Sequence, residues 1–391
     1  MTKTMANFQP QKSEMQFPLS FWLLASLLLV AFAVWGSPFL IDFLNSGDQL
    51  PPTLQLVDPQ LFRGDAIVEA IGRLKSGFYL ALAASIRRFG IAPQQIESVL
   101  YVLFVASRIL LIAGIAAICR SLKNSFWLFV IFAAWCCHQK PSLLGSVTFF
   151  MPMLTHNEVA MVIGLFAIAC WLRGRIILFW LLGGVMVLVH VLVGLQFVMC
   201  FAPAWLWRRK LDKRFLIGAG LFGLCCVIYL LTMLPPPMSA DEWRLFVSGN
   251  GDTGHISLLK LSWLEWVNAV SFFGLSWVAF NRFLKGDAGF ELLKRAMICG
   301  TVFGLILSLT ATFTRAMKPM LFQPLRIFFW VTLICFLFLV AAMIEAFKSS
   351  RLAGVLLAAP LVLTVLNSIL APMFAVLGLG RSEEHTSELQ S

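Results

Sequence analysis

The chain of 391 residues is 60% hydrophobic and 13% charged, with 36 Phe, 13 Trp, a mean hydropathy of +0.87 and a formal net charge of +11. Soluble domains run nearer about 45–50% apolar and about 25% charged, and a single soluble core could not hide this much apolar side chain. These figures exclude a disordered chain, a collagen-like fibre and a disulfide-stapled secreted domain. They leave an all-α, polytopic integral membrane protein, a helical bundle of about 10–11 transmembrane helices.

A spanning helix needs about 20 apolar residues. Residues 1–18 form a polar tail carrying Lys3 and Lys12, and Phe21–Leu44 is the first span, uncleaved, so the N-terminus is expected in the cytoplasm. A polar stretch, Asn45–Ser76, contains Asp48, Asp58, Asp65 and Glu69. Gly77–Phe89 is apolar but short and ends in Arg87-Arg88, and Ile96–Cys119 is the next clear span. If Gly77–Phe89 crosses, every later basic loop faces outward. If it lies at the outer surface as a juxtamembrane helix, the loops at Arg120/Lys123, Arg173/Arg175, Arg208–Arg214, Arg282–Arg295 and Lys348/Arg351 all fall inside. The second choice satisfies the positive-inside rule with one assumption. The basic excess then sets orientation in a cytoplasmic (inner) membrane, and no nucleic-acid partner is expected.

The middle of the chain has short apolar units. Phe126–Cys137 and Asn157–Leu172 flank a polar turn around Lys140–His156. Ile176–Trp207 is bounded by basic residues at both ends, which predicts a bent hairpin with its tip near His190–Gly194. Broken helices at membrane depth face protein or a watery cavity. Further spans are expected at Phe215–Leu234, Leu261–Phe280, Ala296–Thr314, Ile327–Phe347 and Leu352–Leu379, with Pro235–Lys260 as an outer loop. The transmembrane domain is thus taken as 19–380. Arg381–Ser391 is abruptly polar and resembles a translated sequencing-library adapter. It is set aside as non-native, which implies truncation after Gly380. The nine Cys lie in or beside apolar segments without metal-ligand spacing and are expected to be buried thiols.

On this topology the outer side collects Asp48, Asp58, Asp65, Glu69, His156, Glu158, His190, Asp241, Glu242, His255, Arg315, Lys318 and Arg326. A carboxylate can take the proton of an acceptor hydroxyl, and cations can hold a phosphate and its developing charge. The segment Asp58-Pro-Gln-Leu-Phe-Arg-Gly-Asp65 resembles the first outer loop of the GT-C class of membrane glycosyltransferases. More closely, it is similar to a branch with an Asp-Pro-x-Leu-Phe-x-x-Asp signature. Thr155-His156-Asn157-Glu158, His190 and Gln323-Pro-Leu-Arg326 fit the same layout. The resemblance implies transfer of a sugar from a polyprenyl-phosphate donor, in contact with membrane lipid, to an acceptor on the extracytoplasmic side. It gives Asp58 or Asp65 as base, although this loop lacks the adjacent acidic pair of better-characterised families. Arg326 with Arg315 or Lys318 would hold the phosphate, and His156, Glu158 and His190 would line the site.

Each residue also has a structural role open to it. Asp58 could cap a turn, Asp65 could N-cap a helix starting at Ala66, and Arg326 could snorkel to headgroups. His156 and Glu158 could be ordinary interfacial polar residues at a helix start, and His190 a hydrogen-bonded structural histidine. Arg108, mid-span, is expected in a buried ion pair with Glu158 or Asp42. No cofactor motif is present. A divalent metal joining Asp58 or Asp65 with His156 would lack a tight ligand spacing. A lipid or solute transporter, a surface-polysaccharide polymerase or ligase, and a non-catalytic membrane scaffold are the competing functions.

Overall fold

The computed structural model describes residues 17–35, 46–65, 68, 75–122, 125–137, 144, 154–207, 211–233, 258–314, 322–349 and 355. Arg315, Lys318, Asp241, Glu242, His255, the adapter-like tail and all but Val355 of the expected last span lie outside them. Among the described residues every regular element is helical, as expected for an all-α bundle. In chain order they are α1 (Leu19–Trp35), α2 (Ser46–Val57), α3 (Gly77–Phe89), α4 (Ile96–Ser121), α5 (Phe126–Cys137), α6 (His156–Leu172), α7 (Ile176–Val189), α8 (Val191–Leu206), α9 (Lys213–Thr232), α10 (Trp263–Ala279), α11 (Ala288–Thr314) and α12 (Phe328–Ser349).

Among the described residues, four stretches are long and apolar enough to cross a membrane: Ile96–Ser121, Lys213–Thr232, Ala288–Thr314 and Pro324–Lys348. They mark a membrane protein. Five shorter apolar helices (α1, α5, α6, α7 and α8) surround them. α12 is the central post, apolar on every side and buried along nearly its whole length, with α5, α10 and α11 packed on it. α9 is also apolar but peripheral, and turns Leu216, Leu224, Leu230 and Leu231 outward. Its inner face meets α7 at small residues. A Cβ on Gly218 would come 2.5 Å from Trp180, and one on Gly184 would come 2.7 Å from the Cys225 sulfur. Such close backbone approach supplies the packing that water cannot drive inside a membrane.

Several helices outrun their apolar runs. α11 begins at Ala288, eight residues before the expected Ala296, because the Asp287 carboxylate accepts from the Gly289 and Phe290 N–H groups at 2.9 and 3.2 Å. Glu291 and Lys294 then pair on its first turns at 2.8 Å. Hydropathy sees neither the cap nor the charged turn. α10 likewise continues into a π-helical turn, Phe280–Leu284. The nine Cys are unpaired thiols, six of them buried.

Candidate functional site

The site begins where α6 starts. Thr155 is its N-cap, with the hydroxyl accepting from the Glu158 N–H at 3.2 Å. Thr-x-x-Glu is the sequence of a capping box, in which the glutamate reaches back to the cap N–H. Ser262-x-x-Glu265 at the start of α10 completes that box, the Glu265 carboxylate accepting from the Ser262 N–H at 2.8 Å. Glu158 does not. Its carboxylate turns to the Arg108 guanidinium, and both residues are 2% exposed. Arg108 also lies over the Phe104 ring, at 4.5 Å from its centroid. The ion pair expected for Arg108 is therefore made, with Glu158.

α6 and α7 form an antiparallel pair joined by the Arg173–Arg175 turn. The far end of α7 thus returns beside the start of α6. There the chain breaks at His190, whose extended backbone (φ −152°, ψ 101°) closes α7 and opens α8. The break keeps its backbone bonds: His190 N–H donates to Met186 at 2.7 Å, and the His190 carbonyl accepts from Gly194 at 3.1 Å. The Ser76 hydroxyl donates to the Val189 carbonyl at 2.6 Å, satisfying one of α7's terminal acceptors. Next to it Gly77 lies so close to α7 that a Cβ would fall 2.6 Å from the Leu188 oxygen. This seam brings Tyr79 of α3 onto His156, with ring centroids 5.2 Å apart. Burial raises the pKa of the Tyr79 hydroxyl, so it stays protonated.

The third wall is the turn Pro324–Ile327 ahead of α12. Buried Gln196 of α8 donates through Nε2 to the Phe322 and Gln323 carbonyls at 2.9 and 3.2 Å. Gln323 itself is left-handed (φ 48°, ψ 60°) and is followed by Pro324 at the first position of the turn. The Arg326 N–H donates to the Gln323 carbonyl at 3.0 Å. Only Phe62 and Gln323, among the described non-glycine residues, have positive φ. Each costs about 1–3 kcal/mol, a strain that clusters at functional sites.

These walls converge. The His156 and His190 ring centroids are 4.4 Å apart, edge to face, and the charge of Arg326 bears on both. His156 Nδ1, Asn157 Oδ1, Gln323 Oε1 and Arg326 Nε are shut off from solvent without a hydrogen-bond partner. The residues that carry them, with His190, are half-buried. A partly accessible cation beside two imidazoles and several unspent polar atoms suits an anion with hydrogen-bonding oxygens. It does not suit a divalent metal, which Arg326 would repel. Among the described residues no three His, Cys, Asp or Glu side chains gather to hold one. Tyr79 and Gln196 were not singled out in the sequence: each sits in an apolar helix, and only tertiary packing turns it toward the cluster. Gln323 was named in the sequence only as the first residue of Gln323-Pro-Leu-Arg326, with no role of its own.

The first-loop carboxylates make the local bonds that their structural roles require. Asp58 accepts from the Gln60 N–H at 3.0 Å in an Asx turn, and Asp65 accepts from the Val68 N–H at 3.1 Å, as an N-cap does. Both residues are exposed. The structure brings His156, Glu158, His190 and Arg326 into one neighbourhood, while Arg315 and Lys318 lie outside the described residues. Comparison with protein-family models, curated proteins and solved structures found no match to this chain.

Proposed function

We propose that this chain is a membrane glycosyltransferase that moves a sugar from a polyprenyl-phosphate donor to an acceptor on the extracytoplasmic side of the cytoplasmic membrane. The observation that carries the reading is the meeting of His156, His190 and Arg326 at one end of the α6–α7 pair. Arg326 holds the donor phosphate, His156 and His190 donate to its oxygens or to sugar hydroxyls, and Gln323 adds an acceptor. The acceptor oxygen forms the new bond to the anomeric carbon as the carbon–oxygen bond to the phosphate breaks. The electron pair leaves with the lipid phosphate, and the acceptor proton passes to Asp58 or Asp65. The strained Phe62 between those two aspartates supports a role for that loop beyond connection.

The test is sugar transfer by membranes carrying single substitutions, given a polyprenyl-phosphate sugar and an acceptor. Arg326→Ala is expected to lower transfer about 100-fold or more, the scale of losing one charge-stabilising group. Either Asp58→Asn or Asp65→Asn should abolish it. Asn caps as well as Asp, so the loop keeps its fold and only the proton acceptor is lost. Normal transfer by both Asn variants and by Arg326→Ala overturns the reading.

A further inference from the structure

Apolar side chains left exposed together at one edge of a fold mark what lies against that edge. α2 sends Leu50, Leu54 and Val57 inward at helical spacing, onto a cluster that includes Ile96, Leu100 and Phe104 of α4. Leu56, off that stripe, and Leu61 and Phe62 of the following loop join neither apolar cluster of the described residues, and each is 41% exposed. The loop is built to present them. The Leu61 N–H donates to the Asp58 carbonyl at 3.1 Å and the Asp65 N–H to the Phe62 carbonyl at 3.0 Å, so Phe62 joins two successive turns. Its left-handed backbone (φ 56°) is one that glycine takes freely and a bulky residue avoids. Position 62 nevertheless carries an exposed aromatic ring, while the glycine comes two residues later, at Gly64 (φ 80°).

The height of this loop follows from α4. Its 26 residues make about 39 Å, about 9 Å more than the hydrocarbon core. α2 and α3 pack along its stretch from Ile96 to Phe104, about 12 Å that passes from the headgroups into the hydrocarbon. α4 turns Tyr101 and Val102 outward at the same height, so the lipid-facing surface of a spanning helix continues beside the loop. Arg87 donates to the Leu56 carbonyl and ties the root of the loop to α3. Exposed Arg63 and Arg88 can reach lipid phosphates while their stems lie along apolar surface. One exposed leucine needs no explanation. Three apolar residues beside a spanning helix, flanked by cations, match an interfacial element that buries its apolar face about 5–10 Å into the boundary between headgroups and acyl chains. We infer that Leu61 and Phe62, with Leu56 beside them, form a wedge that enters the lipid leaflet on the side where α4 starts and holds Asp58 and Asp65 at headgroup height. The occupant of this surface is membrane lipid. On the transferase reading, which the wedge does not need, it sets the depth at which an aspartate meets the acceptor hydroxyl.

The test uses the full chain in nanodiscs of phosphatidylethanolamine and phosphatidylglycerol, with the native thiols blocked or replaced. A nitroxide is attached in turn to Leu61→Cys and Phe62→Cys. Val102→Cys on α4 serves as the lipid reference, and Gln94→Cys, exposed ahead of α4, as the water reference. Oxygen concentrates in hydrocarbon, whereas a nickel chelate stays in water. The labels at 61 and 62 are expected to show a severalfold higher ratio of oxygen to nickel collisions than the label at 94, as at 102. A ratio like that at 94 would mean a water-facing loop, and labels reached by neither reagent would mean a tip covered by protein. Each of those results overturns the wedge. A label on Gln60→Cys gives the second readout: adding Leu61→Ser with Phe62→Ser should raise its nickel collisions severalfold as the loop lifts from the leaflet. No change there overturns the anchoring role. Neither failure alters the expected loss of sugar transfer in Arg326→Ala, so the wedge and the transferase reading fall separately.

Discussion

Arg108 lies mid-helix in α4, where an unpaired charge is intolerable, and Glu158 pays that cost by ion pairing. Arg108→Ala strands a buried carboxylate and should destabilise the chain by about 3–5 kcal/mol, whereas Arg108→Met with Glu158→Gln should cost far less. Thermal unfolding of both variants in one detergent checks this. Equal losses would mean that the pair carries no coupling of its own. The first-loop aspartates call for a different comparison. Asp65 accepts from the Val68 N–H, so Asp65→Ala should lose about 1 kcal/mol while Asp65→Asn keeps the cap. Parallel unfolding of the two shows whether a loss of transfer in the Asn variant is chemical or structural.

At the scale of elements, helices whose ends coincide with a change in local chemistry were legible. α3 and α5 have the bounds that the apolar runs gave, Gly77–Phe89 and Phe126–Cys137. The break at His190 follows from basic residues bounding a run too long for one arm and too short for two crossings. α2 was hidden inside the polar stretch Asn45–Ser76, because Pro51 and Pro52 argue against a helix and only packing against α3 favours one. The site was half legible. Ionisable residues announced themselves by their cost in an apolar setting, but the groups that hold the Gln323 turn are neutral and long-range. Gln196 is the clearest case. Gln196→Leu removes both bonds to the Phe322–Gln323 backbone and should let Gln323 relax from its left-handed conformation. Arg326 would then be displaced, so dodecyl phosphate binding should weaken about tenfold or more, with little loss of thermal stability because strain is released as hydrogen bonds are lost. Unchanged binding in a folded Gln196→Leu protein would show that the turn holds its shape alone.

The whole molecule's orientation turns on α3. Thirteen residues give a helix of about 20 Å, short of the about 30 Å hydrocarbon core. α3 also packs on α2, with Arg87 donating to the Leu56 carbonyl near α2's end, as suits a pair lying at an interface. α6 and α7, at about 25 and 21 Å, place the His156–His190 cluster opposite the Arg173–Arg175 turn and short of a full crossing. A site so placed needs a protein-lined recess, which the α3 seam and the Gln323 turn provide. If basic turns face the cytoplasm, exposed Arg175 is inside and exposed Phe89 is outside. With the native thiols blocked or replaced, Phe89→Cys should react with a membrane-impermeant maleimide in intact cells, and Arg175→Cys only after permeabilisation. Were α3 a true crossing, Arg175→Cys would react in intact cells. The cluster would then open to the cytoplasm, and a donor held at the extracytoplasmic face could not reach it.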